Sequence, residues 1–311
     1  MNEVIKNAEE TTKKRLSQFK KIAVSISGGS DSDLVIQMIE DNKIKGNEIH
    51  YIFCNTGLEY VATKNHLKYL EKKYNVTIEE LKPKEPIPLA VKNHGVPFIS
   101  KHVSDMISRL QRHNFKWEDK TFEELYKEYS KCKCALLWWC NKHPENSMFN
   151  IKRNKYLKEF LILKPPTFNI SEKCCFYNKK DVVHRYLKDN EINLDVTGLR
   201  KAEGGKRSAN IKSCFDLKQS GVFSFRPIFW FKENDKREYE EIKKITHSMC
   251  YRKYGLKRTG CAGCPFGLNW KEELEILEKN EPKLYQAVIS VFKDSYKYML
   301  EYEKFKKEVE K

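Results

Sequence analysis

"IAVSISGGSDSDLVIQMIED", Ile22 to Asp41, is the stretch on which the fold turns. It opens with an apolar, β-branched run, passes through Ser-Gly-Gly-Ser-Asp-Ser, and continues with apolar residues at helical spacing. A glycine pair between a buried strand and a helix lets the backbone approach a ligand closely, with amide hydrogens and the helix dipole directed at it. Phosphate is the ligand this geometry suits. The loop lacks both the Lys-Ser/Thr ending of the triphosphate P-loop and the Gly-x-Gly-x-x-Gly dinucleotide spacing. Two glycines at a strand end also serve as a plain tight turn. Asp31 and Ser32 tilt the reading toward binding, because they offer a helix cap and a metal or phosphate contact.

Working outward, "EIHYIFCN" (Glu48 to Asn55), "VTIEELK" (Val76 to Lys82) and "INLDVTGL" (Ile192 to Leu199) also have the pattern of buried strands. Helical patterns, "DLVIQMIEDNK" and "YVATKNHLKYLEKKY", separate the first three strands. Alternating strand and helix predicts an α/β fold with a doubly wound parallel sheet, binding its ligand at the carboxyl ends of the strands. From about Ser100 to Pro166 the alternation stops and the chain becomes rich in lysine and aromatics. Four segments follow: 1–99, the first part of a nucleotide-binding α/β domain; 100–169, a helical insertion; 170–232, the rest of the α/β domain; and 233–311, a helical region holding a Cys-x-x-Cys loop.

The 311 residues carry 59 Lys and Arg against 43 Asp and Glu, a formal charge of +16. That excess favours an anionic partner, nucleotide or nucleic acid, although a lysine-rich surface also simply stays solvated. The first twenty residues are polar and mixed in charge, and no run of about 18 apolar residues follows. A cytoplasmic, reducing location without a membrane partner is therefore expected. Ten cysteines in such a compartment are thiols or metal ligands before they are disulfides.

Ser27 to Ser32 resembles the pyrophosphate-binding loop of the ATP pyrophosphatase superfamily (PP-loop, adenine nucleotide alpha hydrolase-like), whose usual form is Ser-Gly-Gly-x-Asp-Ser. "FCNTGLEYVAT" (Phe53 to Thr63) resembles the Asn-Thr-Gly-x-Glu motif of the phosphoadenosine phosphosulfate (PAPS) reductase family within it. "VTGLRKAEGGKRS" (Val196 to Ser208) is similar to its Gly-x-Arg-x-x-Glu-x-x-x-Arg stretch, and "FRPIFWF", "DKREYE" and "RTGCAGCPFG" follow in the family's order. The resemblance covers Lys21 to Gly95 and Ile170 to Gly267. It implies that Ser27, Gly28, Gly29, Ser30, Asp31 and Ser32 hold the phosphates of ATP or an adenylylated nucleotide, with Mg2+. Asn55, Thr56, Gly57 and Glu59, just past the second strand, would border the adenosine. Asp31, Arg200 and Arg207 are the candidate catalytic groups, the arginines being suited to forked contacts with phosphate or sulfate.

Cys174 and Cys175 are adjacent, and "CAGC" supplies Cys261 and Cys264. Four such thiolates can close a tetrahedral zinc site or carry a cubane iron-sulfur cluster. A vicinal pair with a distant Cys-x-x-C resembles the 4Fe-4S pattern of adenylylsulfate reductases, with Cys250 as a substitute ligand. Cys132, Cys134, Cys140 and His143 offer a second site or ordinary thiols, while Cys54 and Cys214 suit packing.

Two departures from the reductases bear on the reaction. Their catalytic tail cysteine has no counterpart after Cys264, and the loop keeps the form of members that cleave ATP, though with Ser30 where lysine is more usual. The resemblance therefore implies a sulfurtransferase that adenylylates nucleic acid, served by a sulfur donor or reductant protein. The alternatives are a PAPS or adenylylsulfate reductase releasing sulfite, and a nucleotide-binding partner protein without catalysis. Trp138 and Trp139 in the insertion would serve as stacking surfaces for a strand.

Overall fold

Ile22, Ala23 and Val24 have no exposed surface, the burial expected of a strand covered on both faces. They form the centre of β1 (Lys21–Ser25), which pairs in parallel with β2 (Glu48–Cys54) on one side and β4 (Leu194–Val196) on the other. β3 (Ile78–Leu81) extends the sheet beyond β2, and β6 (Phe223–Phe225) beyond β4, both in parallel. β5 (Phe215–Leu217) closes the edge antiparallel to β6, giving the order β3-β2-β1-β4-β6-β5. The chain thus winds outward from β1 to β3 and returns to the other side of β1. The loops after β1 and β4 consequently leave the sheet at its topological switch point.

These elements belong to a computed structural model that describes residues 1–204 and 211–311. The chain divides into two units, Met1–Lys84 with Asn178–Ala262, and Glu85–Tyr177 with Gly263–Lys311. The first holds the sheet. Alternate residues of its strands point to opposite faces, so Ile22, Val24, Leu194 and Val196 share a core with Leu34 and Met38, while Ala23, Ile52 and Leu81 pack with Val182 and Leu187. The helices Ser30–Asn42 and Asp181–Asp189 accordingly cover opposite faces. The four strands expected from the sequence are present, each somewhat shorter than its apolar run.

The second unit is helical, and its helices Lys101–Gln111, Phe122–Glu128, Lys133–Trp139 and Leu157–Leu163 fall where the helical insertion is expected. Trp138 and Trp139 are fully buried, and Trp139 Nε1 donates to Glu118 O at 3.1 Å while its ring meets Phe115 and Trp117 edge-on. They are core residues and offer no stacking surface, contrary to the expectation. The helix Pro282–Val309 presents Tyr298 and Tyr302 to Phe98 and Phe160.

The division differs from the segments read by composition. The helix Glu233–Lys243 and the turn of helix Met249–Arg252, grouped above with 233–311, belong to the α/β unit because Tyr239 enters the sheet's core. Residues 85–99 belong to the helical unit, where Phe98 packs on Tyr298 and a parallel bridge joins Val96 to Ile170. Among the described residues, no helix is long and apolar enough to cross a membrane.

Candidate functional site

Gly28 has φ +69°, and a Cβ there would stand 2.7 Å from Thr63 Cγ2, so the loop after β1 needs glycine at this point. Gly29 then caps the helix Ser30–Asn42. Its carbonyl accepts the amides of Ser32 and Asp33 at 3.0 and 3.2 Å and the Ser32 hydroxyl at 2.7 Å. The amides of Gly29 and Ser30 donate to hydroxyls, Ser27 Oγ at 3.2 Å and Tyr251 Oη at 3.1 Å, and Tyr251 Oη lies 3.0 Å from Thr259 Oγ1. A Cβ on Gly198 would stand 3.1 Å from the Asp31 carbonyl. The loop after β4 therefore lies directly against the loop after β1, as their neighbouring parallel strands require.

Charge is concentrated where these loops meet. Asp31 Oδ1 accepts from Arg200 Nε at 3.0 Å and Lys236 Nζ at 2.8 Å, and Lys236 Nζ also donates to Ser30 Oγ at 2.6 Å. Arg200 Nη1 reaches Glu233 at 3.2 Å. Burial pushes the Asp31 carboxyl up, but a hydrogen bond from Glu203 and the charges of Lys236 and Arg200 outweigh it and hold the group below its ordinary value. Glu203 is raised, by burial and by sharing that hydrogen bond with Asp31. The two carboxyls are thus pushed in opposite directions, Asp31 toward its charged form and Glu203 toward its neutral one. The result is two buried cations and a helix N-terminus at one switch point, an arrangement chemically suited to a phosphate chain.

Beneath the loop, Asp33 is 1% exposed and bridges two imidazoles, His66 Nε2 at 2.9 Å and His247 Nδ1 at 2.8 Å. His247 Nε2 meets Glu240 at 2.9 Å. Burial alone would lower the His247 pKa, but Asp33 and Glu240 raise it to about 9, so the ring is an imidazolium at neutral pH.

The motif past β2 closes a turn on itself. Glu59 Oε1 accepts from the amide of Thr56 at 3.0 Å and its hydroxyl at 2.6 Å, both residues being buried. Asn55 Oδ1 accepts from the Gly57 amide at 3.0 Å, and Asn55 Nδ2 donates to Glu80 at 2.9 Å. Arg207 falls within 205–210, outside the described residues.

The cysteines are all thiols rather than disulfides. Cys250 and Cys261 belong to the α/β unit, where Cys250 is buried 3.6 Å from Thr63 Oγ1 and Cys261 Sγ accepts from Thr56 Oγ1 at 3.5 Å. Cys174, Cys175 and Cys264 belong to the helical unit. Among the described residues, no group of three His, Cys, Asp or Glu side chains is placed to hold a metal ion. None of the five cysteines belongs to such a group among the described residues. The same holds for Cys132, Cys134, Cys140 and His143: Cys132 is buried with its thiol on Tyr129 O at 3.3 Å, whereas Cys134 is exposed. Cys54, half-buried against the core beside Ala23 and Leu81, has its thiol pushed up to about 11 by burial.

Lys236, Tyr251, Thr259, Glu240 and the two histidines are site residues that sequence reasoning missed. Lys236 and Glu240 lie inside "DKREYE" and Thr259 inside "RTGCAGCPFG", both noted above for their order alone, and no local pattern marks Tyr251 or the histidines.

The sheet order and the placement of Ser27 to Ser32 at the end of β1 define a doubly wound α/β protein with a mostly parallel sheet and a glycine loop at its switch point. The family model for the phosphoadenosine phosphosulfate reductase domain matches residues 99–266, just over half of the chain, which therefore belongs to that family. The match runs through residues 100–169, a stretch that the resemblance by motifs left out. A curated relative, an uncharacterized protein of Methanocaldococcus jannaschii, is 33% identical over 93 residues, which are 30% of this chain and 18% of the relative. The chain thus matches less than a fifth of that relative's length. The solved structures similar to it include the PAPS reductase of Candida auris in complex with phosphate, 15% identical, TM-score 0.45, covering 82% of this chain and 87% of that one. They also include the U34-tRNA thiolase NcsA of Methanococcus maripaludis with its 4Fe-4S cluster, 14% identical, TM-score 0.42, covering 97% and 79%.

Proposed function

We propose that the protein is an enzyme that splits ATP between its α and β phosphates and uses the adenylyl group to activate a nucleic-acid oxygen for replacement by sulfur. The observation that carries this reading is the placement of Ser27 to Ser32 at the switch point, with Arg200 and Lys236 converging on Asp31. In the reaction, the acceptor oxygen attacks the α-phosphorus and the bond to the β-phosphate oxygen breaks. Pyrophosphate leaves with that electron pair. A sulfide-level nucleophile from a donor protein then attacks the atom bearing the adenylylated oxygen, and AMP departs with the oxygen.

In this reading the amides of Gly28 to Ser32 hold the phosphates that leave, Mg2+ neutralises the triphosphate, and Arg200 and Arg207 meet the charge developing at the α-phosphate. Asn55, Thr56, Gly57 and Glu59 shape the border of the adenosine. The net charge of +16 supports a polyanionic acceptor. A 4Fe-4S cluster, or zinc, on Cys174, Cys175, Cys261 and Cys264, with Cys250 in reserve, is supported by spacing alone, and adenylylation does not require it. Iron counted after anaerobic purification tests it: about four per chain, lost in Cys261→Ala, supports the cluster, and iron-free protein removes it.

The family's description favours a second reading, reduction of PAPS. Sulfur-35 supplied as sulfide, with ATP and DNA or RNA, separates the two. Label entering the nucleic acid in an ATP-dependent manner supports the proposal. Sulfite formed from PAPS with a thiol reductant, and no label transferred, supports the reductase and overturns it.

A further inference from the structure

The loop Ser27 to Ser32 contains no lysine or arginine, yet an ammonium sits in it. Lys236 reaches it from the helix Glu233–Lys243, more than two hundred positions away. Its side chain is buried, and it touches Ser30 Oγ at 2.6 Å and Asp31 Oδ1 at 2.8 Å, with Glu240 at 3.9 Å. Glu233, Lys236 and Glu240 are spaced as one face of a helix, and each addresses the site: Glu233 holds Arg200, Lys236 holds the loop, Glu240 holds His247. A buried ammonium costs more desolvation than an apolar side chain of similar length, so packing alone does not account for lysine here.

We propose that Lys236 is the phosphate-binding ammonium of this loop, supplied from a distant helix where Ser30 leaves the loop without one. The assignment rests on the nucleotide reading above and adds to it the residue that meets the β and γ phosphates. The ammonium rests on Asp31 and Ser30. A phosphate oxygen arriving at the amides of Gly29 and Ser30 comes within reach of it, and takes a share of a charge that Asp31 and, at longer range, Glu240 balance.

The test relocates the ammonium. Pyrophosphate, and separately ATP, are titrated calorimetrically into the full chain, into Lys236→Met, and into Lys236→Met combined with Ser30→Lys, with folding checked by circular dichroism. Lys236→Met should weaken pyrophosphate binding by about tenfold or more, the worth of one charge-assisted hydrogen bond. The double variant should recover to within about threefold of the parent, since a lysine at position 30 restores the charge where phosphate binds. Unchanged binding in Lys236→Met, or a folded double variant that binds no better than the single one, overturns the inference while leaving the nucleotide reading intact. A parent protein that binds neither pyrophosphate nor ATP brings down both.

Discussion

Arg200 Nε meets Asp31 Oδ1 at 3.0 Å although 169 positions separate the two residues. Their strands, β4 and β1, are parallel neighbours, so both side chains issue from the same end of the sheet. Arg200→Ala should leave Asp31 on Lys236 and return the exposed Glu233 carboxylate to water. Unfolding in urea should then show a loss of about 1–3 kcal/mol, the usual cost of removing one charged partner from a buried contact. Turnover should fall more than ATP affinity, because a charge developing at the α-phosphate is felt chiefly in the transition state. An unchanged urea midpoint would show that the contact carries no weight.

At Gly29 the space is set by hydroxyls. A Cβ there would stand 3.1 Å from both Ser27 Oγ and Thr259 Oγ1 and 3.4 Å from Tyr251 Oη. Gly29→Val adds branches in the path of an incoming phosphate and should abolish ATP binding; Gly29 has extended backbone angles, so the cost to the fold comes from crowding the Ser27, Thr259 and Tyr251 hydroxyls and not from backbone strain. Binding equal to the parent's in calorimetry would remove the loop from the site.

How far the site was legible in the sequence follows from where each partner lies. The central strands declare themselves as apolar runs, and the glycine loop as a local pattern between two of them. β5 and β6 have three residues each, too few for a period of two to register. The helix Glu3–Gln18 is polar along most of its length and buries only Ile5, Thr12 and Leu16, so the sequence before Lys21 carries little signal. Lys236, Tyr251 and His247 reach the loop region across 205 to 221 positions, a proximity that no spacing encodes. The paired tryptophans show the converse difficulty. Composition reveals an aromatic pair, but only packing decides between a core and an exposed face.

His247 makes stability depend on pH. Its folded pKa, raised to about 9 by Asp33 and Glu240 against the opposing effect of burial, lies above the ordinary value of about 6.5. A raised value means the folded state holds the proton more tightly, so the stabilisation is fully present below about pH 6.5 and is lost as pH rises through 9. Allowing for solvent screening, the loss between these limits should be on the order of 1–2 kcal/mol. Urea midpoints should fall across this window in the parent and stay flatter in His247→Gln. Parallel profiles would mean that the imidazolium is no part of the fold's balance.

The measurement that bears most directly on the account is the fate of ATP. The full chain, incubated with Mg2+, ATP labelled at the α and γ phosphates, and either DNA or RNA, should yield AMP and pyrophosphate in equal amounts. The yield should rise with nucleic acid, and the stimulation should weaken steeply as salt is added. Arg200→Ala and Gly29→Val should abolish it. ATP recovered intact, or cleaved only to ADP and phosphate, with either nucleic acid present, would contradict the claim that this loop serves cleavage between the α and β phosphates.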